Sequence, residues 1–209
     1  MNISLYNTGK RFNQEWIFRK FNYDFLQGKS YAITGSNGSG KSTLLQIIAG
    51  ATLHSEGKIN YSTEAKITKQ IKIIAGENAY TQVAIAAPYL DLIEEMTANE
   101  LLAFHSSFKP LTKSFIEILE TVGLQKAADK QIRYYSSGMK QRLKLAQAFF
   151  SKTSVLLLDE PTTNLDEDGI AVYKKLWQEN TFNRLVIVSS NDKAEYENCE
   201  AVIKIGDYK

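Results

Sequence analysis

Cysteine, proline, histidine and long apolar runs are all scarce in this chain. Of 209 residues one is cysteine, Cys199, and three are proline. A single cysteine excludes an internal disulfide and fits a reducing compartment. Cys199 itself reads as a small packed residue. The two histidines, His54 and His105, have no Cys or His partner at metal-ligand spacing, so both read as surface or packing residues. The longest apolar runs, Val155–Leu158 and Val83–Ala87, fall far short of the roughly 18 residues of a membrane helix, so the chain is not expected to cross a membrane by itself. The opening MNISLYNTGKRF has no apolar core of a signal peptide. Charge of neither sign dominates: 25 Lys and Arg against 23 Asp and Glu leave a net +2, which gives no support to a nucleic-acid partner. A nucleophile elbow, a Ser-His-Asp arrangement and coiled-coil heptads are also missing. The pair Glu94-Glu95 reads as solvated or partner-facing rather than as a catalytic dyad.

Three stretches carry chemistry. The first, ITGSNGSGKSTLL at 33–45, fits G-x-x-x-x-G-K-[ST] with Gly35, Gly40, Lys41 and Ser42 at the fixed places. An apolar strand pattern, Tyr31–Thr34, precedes it, and a helical pattern with Leu44, Leu45, Ile47 and Ile48 follows as far as Gly50. Glycine is needed because backbone N–H groups must converge on phosphate oxygens without a Cβ in the way. The helix N-terminus adds attraction for an anion. Lys41 is expected at the β- and γ-phosphates and the Ser42 hydroxyl on Mg²⁺.

The second, SVLLLDEPTTNLD at 154–166, ends an apolar strand in two carboxylates. In P-loop enzymes an Asp here holds Mg²⁺, which assigns Asp159. Glu160, one residue on, is placed to polarise or deprotonate an attacking water. The third, YYSSGMKQRLKLAQAFF at 134–150, is a Ser-x-Gly turn opening a helix, and its Ser136 and Gly138 amide make a second anion site. One ATP does not need two such loops from one chain. Two chains arranged head to tail do, each nucleotide lying between one P-loop and the partner's serine-glycine turn.

Further strand patterns fall at Leu185–Ser189 and Val202–Ile205, and runs apolar along their length indicate a parallel sheet covered on both faces. Lys58–Ile74 alternates and indicates a small antiparallel layer. From Thr97 to Gly123 the pattern is helical, with Thr97 and Glu100 as a capping box and Leu101, Leu102 and Phe104 following. Phe115, Ile118, Leu119 and Val122 continue at helical spacing.

In order and spacing these motifs resemble the ATP-binding-cassette (ABC) ATPases over nearly the whole chain, with Tyr135 and Asp159 standing 24 residues apart. The resemblance implies an α/β fold: a P-loop NTPase core of mostly parallel sheet, a small antiparallel β layer and an inserted α-helical subdomain. It implies one nucleotide-binding domain over 1–209, with a core lobe at about 1–88 and 138–209 and the helical subdomain at about 89–137. Gly35, Ser36, Asn37, Gly38, Ser39, Gly40, Lys41, Ser42 and Thr43 become the ATP-binding loop. Ser42 and Asp159 become the Mg²⁺ ligands, Ser136, Ser137 and Gly138 the signature acting in trans, and Asp166 the D-loop acid. An aromatic residue upstream of the P-loop stacks on adenine in that family; Phe12 is best placed and Trp16 is the alternative.

The sequence departs from the family in three places. The signature reads Tyr-Ser-Ser-Gly-Met, which keeps Ser136 and Gly138 but replaces a glycine by Ser137. A Gln near Mg²⁺ is replaced by Tyr89, whose phenol can donate a hydrogen bond but cannot offer an amide oxygen. A His at the γ-phosphate is replaced by Asn191, which can donate but carries no charge. The resemblance implies the ATP-hydrolysing subunit of a transporter of compact exporter type, the haem-exporter type of cytochrome c maturation included. Its cofactors would be ATP and Mg²⁺. Its partners would be separate transmembrane permease subunits and an identical or different second ABC ATPase, on the cytoplasmic face of the cell membrane. A soluble non-transport ABC ATPase and an ATP-switched regulatory module are the alternatives.

Overall fold

The computed structural model describes residues 1–64 and 71–209. Strands β1 (Asn2–Phe12) and β2 (Glu15–Phe25) form an antiparallel hairpin turned at Asn13, whose φ is +53°. β3 (Ser30–Thr34) leads through the glycine loop into helix α1 (Lys41–Ile48). β4 (Glu56–Glu64) and β5 (Ile71–Ile74) complete an antiparallel sheet of order β2-β1-β4-β5. The expected layer at Lys58–Ile74 is therefore present at both ends, while its residues 65–70 lie outside the described residues.

β6 (Val83–Ala86) is followed by helices α2 (Ala98–Ser106) and α3 (Phe115–Thr121). The helical pattern read as one block from Thr97 to Gly123 is thus two helices. Pro110 disfavours helix in the residue before it, and Ser114 starts the chain afresh with a second capping box to Glu117. Phe104, expected among the apolar positions of the block, is half-exposed and packs edge-to-face on Phe108 at 5.2 Å. The Thr97–Glu100 box forms as expected.

The chain then runs through α4 (Ser137–Phe150), β7 (Val155–Asp159), α5 (Glu167–Asn180), β8 (Leu185–Ser189), α6 (Lys193–Tyr196) and β9 (Ala201–Lys204). The last strand stops one residue short of the expected Ile205, which is buried in a closing 3-10 turn. Strands β6-β7-β8-β3-β9 make a wholly parallel sheet.

Both faces of this sheet are covered, which is why its strands lack a polar alternation. In β7 the side chains of Leu156 and Leu158 enter a core with α2, α3, α4 and α5. Val155 and Leu157 enter the opposite core, built with α1 and the aromatic β1–β2 hairpin. Val186 and Val188 of β8 repeat the first pattern, and Leu185 and Ile187 the second. With its central strands β7, β8 and β3 buried and paired on both sides, the sheet is a firm base for the loops at its carboxyl ends. Those loops begin after Thr34, Ala86, Asp159 and Ser189, and all the chemistry-bearing motifs but the serine-glycine turn lie in them.

Candidate functional site

The glycine loop wraps a cavity of about 210 Å³ lined by Asn37–Thr43, Glu160 and Ile17. Its shape depends on missing Cβ atoms. A Cβ on Gly35 would lie 2.7 Å from Ser39 Oγ, and one on Gly40 would lie 2.4 Å from Ile17 Cγ2. Gly40, at φ +102°, is the N-cap of α1 and brings no side-chain cap, so the first N–H groups of that helix point into the loop. A turn from Ser39 N–H to Ser36 O, 3.0 Å, closes the loop. Lys41 is only 5 % exposed, and its Nζ donates to Gly35 O at 2.8 Å and Ser36 O at 3.3 Å. The ammonium is held inside the ring of amides. An array of N–H donors around one lysine is a receptacle for a polyphosphate.

At the end of β7, with β8 between it and the strand that precedes the glycine loop, Asp159 is 1 % exposed and its Oδ1 has no hydrogen-bond partner. Ser39 Oγ is likewise buried without a partner. A buried carboxylate oxygen without a donor is costly unless a cation or water completes it. Ser42, the second residue of α1, and Asp159 are oxygen donors of the kind Mg²⁺ takes, so the residues present fit that ion. Glu160 leaves the strand at φ +43°, in the left-handed region, with its N–H donating to Ser189 O at 2.8 Å. Such a backbone is kept only where the surroundings over-determine it, and it turns Glu160 into the wall of the cavity.

Tyr89 follows β6 and faces the same acid. Although the residue is 42 % exposed, its hydroxyl is pushed up to about 12, first by burial and then by the charge of Asp159, against a hydrogen bond with Gln46 that lowers it. At neutral pH the phenol is therefore a neutral group beside Asp159. Asn191 bridges the loop from the other side: Gly35 N–H donates to its Oδ1 at 3.2 Å. Its Nδ2 donates to Asn37 Oδ1 at 3.2 Å.

The serine-glycine turn lies outside the cavity. Ser136 is the N-cap of α4, its Oγ accepting from Met139 N–H at 3.2 Å, with Ser137 exposed in the first turn. A Cβ on Gly138 would lie 3.0 Å from Asn164 O, so the turn and the segment leading to Asp166 are in close contact. Asp166 caps α5, accepting from Gly169 N–H at 2.9 Å. Gln141, one turn into α4 and buried, donates to Pro161 O at 2.8 Å.

Neither aromatic candidate lines the cavity. Phe12 is 50 % exposed at the end of β1, with Lys10 Nζ 4.7 Å from its ring centre. Trp16 carries the Arg19 guanidinium at 4.1 Å and that of Arg11 at 5.6 Å. Ile17 does line the cavity, and nothing in the sequence marks it. An aliphatic residue in a strand has no motif; it reaches the loop because the hairpin packs on α1.

The remaining polar candidates are structural. His105 Nε2 pairs with Ser151 Oγ at 2.7 Å, and burial with nearby Lys109 lowers its affinity for a proton. Burial raises the Cys199 thiol to about 12, which keeps it protonated and unreactive at neutral pH. Glu94 and Glu95 pair with Lys140 and Arg133 respectively. Among the described residues no cluster of three His, Cys, Asp or Glu side chains could hold a metal ion. No helix there is long and apolar enough to cross a membrane.

The family model of the ABC transporter ATPases matches residues 18–163. The ABC transporter ATP-binding protein YybJ of Bacillus subtilis (strain 168) is 32 % identical over 196 residues, covering 92 % of this chain and 87 % of that protein. YxlF of the same organism, another ABC transporter ATP-binding protein, is 34 % identical over 172 residues, 80 % of this chain but 55 % of its own length. Among solved structures, a Pyrococcus furiosus chain titled as an ABC transporter ATP-binding protein superposes over 100 % of both chains with a TM-score of 0.80 at 18 % identity. Family model, relatives and fold agree with the loop and carboxylate geometry: the chain belongs to the ABC transporter ATPases and is an ATP-binding, ATP-hydrolysing subunit of such a transporter.

Proposed function

We propose that two copies of this fold, identical or not, close head to tail around two ATP molecules and drive separate transmembrane permease subunits from the cytoplasmic face of the membrane. Each nucleotide lies between the loop Gly35–Thr43 of one copy and Ser136, Ser137 and Gly138 of the other, with Asp166 at the seam. A core lobe of about 1–88 and 138–209 holds the nucleotide, and a helical subdomain of about 89–137 carries the signature against the partner's site. Phe12 supplies the platform for adenine.

The observation that carries the reading is the occurrence of three features at the carboxyl edge of one parallel sheet: the partnerless Oδ1 of Asp159, the left-handed turn at Glu160 and the uncapped N-terminus of α1. Lys41 exchanges its contacts with the Gly35 and Ser36 carbonyls for phosphate oxygens. Ser42 and Asp159 would hold Mg²⁺, whose chemistry is to neutralise charge building up on the β- and γ-phosphates. Glu160 accepts a proton from the water that attacks the γ-phosphorus, while the bond to the β–γ bridging oxygen breaks and leaves ADP. General-base assistance of this kind contributes about 10²–10⁴ in rate. Asn191 keeps the loop shaped and offers its amide to the γ-phosphate.

The test is Glu160→Gln in a phosphate-release assay and in sizing experiments with ATP. Turnover is lost while ATP-dependent dimers persist. A Glu160→Gln protein that hydrolyses ATP at the wild-type rate removes Glu160 from the role of base.

A further inference from the structure

The turn that bears Glu160 is not held by its own backbone alone. Thr163 N–H returns to Glu160 O at 3.1 Å and Leu165 N–H to Thr162 O at 3.0 Å, which shapes the turn but does not fix it to the body of the protein. Three contacts anchor it there: Glu160 N–H to Ser189 O, Gln141 Nε2 to Pro161 O at 2.8 Å, and, on the Thr162 side of the turn, those of Glu195. The Oε1 of Glu195 accepts from Thr162 N–H at 2.6 Å and from Thr162 Oγ1 at 2.5 Å. Glu195 sits in α6, is 5 % exposed, and its backbone O accepts from the Tyr173 hydroxyl at 2.6 Å. A buried acid is expensive, and hydrogen bonds to a carboxylate are among the stronger ones a side chain makes. Spent on a threonine two residues from a strained glutamate, those bonds set where the glutamate points.

The placement of Glu195 links it to the other wall of the site. Over residues 189–195 a single segment touches both the glycine loop and the turn that bears Glu160. Ser189 O accepts from Glu160 N–H at 2.8 Å, and Ser190 N–H donates to Ile33 O at 3.1 Å just before the glycine loop. The Asn191 amide bridges Gly35 and Asn37. Glu195 then closes on Thr162.

We propose that Glu195 is a positioning residue for ATP hydrolysis: by accepting both donors of Thr162 it fixes Glu160 against the nucleotide and keeps that turn in register with the Asn191 side of the glycine loop. The proposal rests on the reading of Glu160 as the base. Glu195 touches no substrate; it acts through Thr162. A carboxylate that moves by an ångström leaves the attacking water unassisted, so loss of the anchor appears in kcat and not in nucleotide affinity.

The experiment compares Glu195→Ala, Glu195→Gln, Thr162→Val and Glu160→Gln for steady-state phosphate release, affinity for a fluorescent ATP analogue, and thermal unfolding. Glu195→Ala is expected to lower kcat about ten-fold or more with KM for ATP within about two-fold of wild type. Glu195→Gln recovers most of that rate, because its amide oxygen still accepts both bonds. Thr162→Val, which keeps the N–H and loses only the hydroxyl, lowers kcat by a smaller factor, and the double variant Glu195→Ala/Thr162→Val is no slower than Glu195→Ala. Should Glu195→Ala fail to fold, Thr162→Val and Glu195→Gln decide. Wild-type kcat in Thr162→Val and in Glu195→Ala overturns the proposal, as does a loss of nucleotide affinity equal to the loss of rate. Glu160→Gln separates the two ideas. If it is inactive while the Glu195 and Thr162 variants are normal, only the positioning role falls; if it turns over normally, the base reading falls first and the positioning role with it.

Discussion

Asn191 donates from Nδ2 to Oδ1 of Asn37 across 3.2 Å, and so braces the glycine loop from the segment that follows β8. Its Oδ1 meanwhile accepts from Gly35 N–H, so one neutral amide uses both ends on the loop. A group in this place that loses its donor should cost turnover on the scale of a lost transition-state hydrogen bond, about 10²-fold in kcat for Asn191→Ala. Asn191→His restores a donor and changes the rate little at pH 8. It also adds an ionisation near pH ~6.5 to the kcat profile, one that the uncharged wild-type amide cannot produce at this position. A wild-type rate in Asn191→Ala, measured by phosphate release, removes Asn191 from the reaction.

Gly40 makes the tightest contact in the loop. Substitution by Ala meets two penalties, a left-handed backbone at φ +102° and a Cβ 2.4 Å from Ile17 Cγ2. Gly40→Ala should lose about 1–3 kcal/mol of stability and most affinity for an ATP analogue. Adding Ile17→Ala relieves the contact but not the backbone, so the double variant regains only part of both. Full recovery on thermal unfolding and analogue titration would show that the contact with Ile17 was the whole cost.

Much of this arrangement is legible in the sequence, for reasons that can be named. The loop Gly35–Ser42 and the strand ending at Asp159-Glu160 are read directly, because phosphate chemistry restricts residue type at fixed spacing. The parallel strands are read from their unbroken apolar runs. The β1–β2 hairpin is hidden because its alternation is broken: register shifts interrupt β1 between Leu5 and Arg11, and Asn7 and Lys20 take positive φ. Each bulge moves the following side chains to the other face, so no period of two survives. Ile17 is hidden for a related reason, since its contact with Gly40 is a product of packing between distant elements. Glu195 is hidden in NDKAEYEN, where every polar residue looks solvated, and only the fold shows that one of them is buried on Thr162.

Tyr89 bears on the metal rather than on the nucleotide. Its hydroxyl, raised to about 12 by burial and by the charge of Asp159, stays protonated around neutral pH and stands near that acid as a neutral group, with Gln46 as its hydrogen-bond partner. Polar groups lying just outside the ligands of a metal are worth about 10–100-fold in metal affinity. Tyr89→Phe should therefore raise the Mg²⁺ concentration for half-maximal turnover on the order of ten-fold. Binding of an ATP analogue in EDTA should be unchanged, and direct titration with Mn²⁺ by electron paramagnetic resonance should show the same loss. An unaltered Mg²⁺ curve would mean that Tyr89 only fills space beside Gln46.

Whether the site is shared between two chains can be read from complementation. Ser137 is exposed in the first turn of α4, where an acid suits the helix dipole but repels a phosphate, so Ser137→Glu should fold and bind ATP at its own glycine loop yet fail in hydrolysis. Lys41→Ala removes the ammonium of the loop and fails for the opposite reason. Co-expressed in equal amounts, the two variants pair at random, and half the dimers contain one of each. In a head-to-tail dimer such a pair has one site with both an intact loop and an intact signature, and a second site with neither. Turnover of the mixture should then return to about a quarter of wild type if the two sites fire independently, from two proteins each inactive alone. If loop and signature served the same nucleotide within one chain, no pairing could rescue either, and the mixture would stay inactive. The same mixture made with Glu160→Gln in place of Lys41→Ala tests the base in trans to the signature. Its recovery would place Glu160 with the loop of its own chain, as the shared wall of the cavity requires.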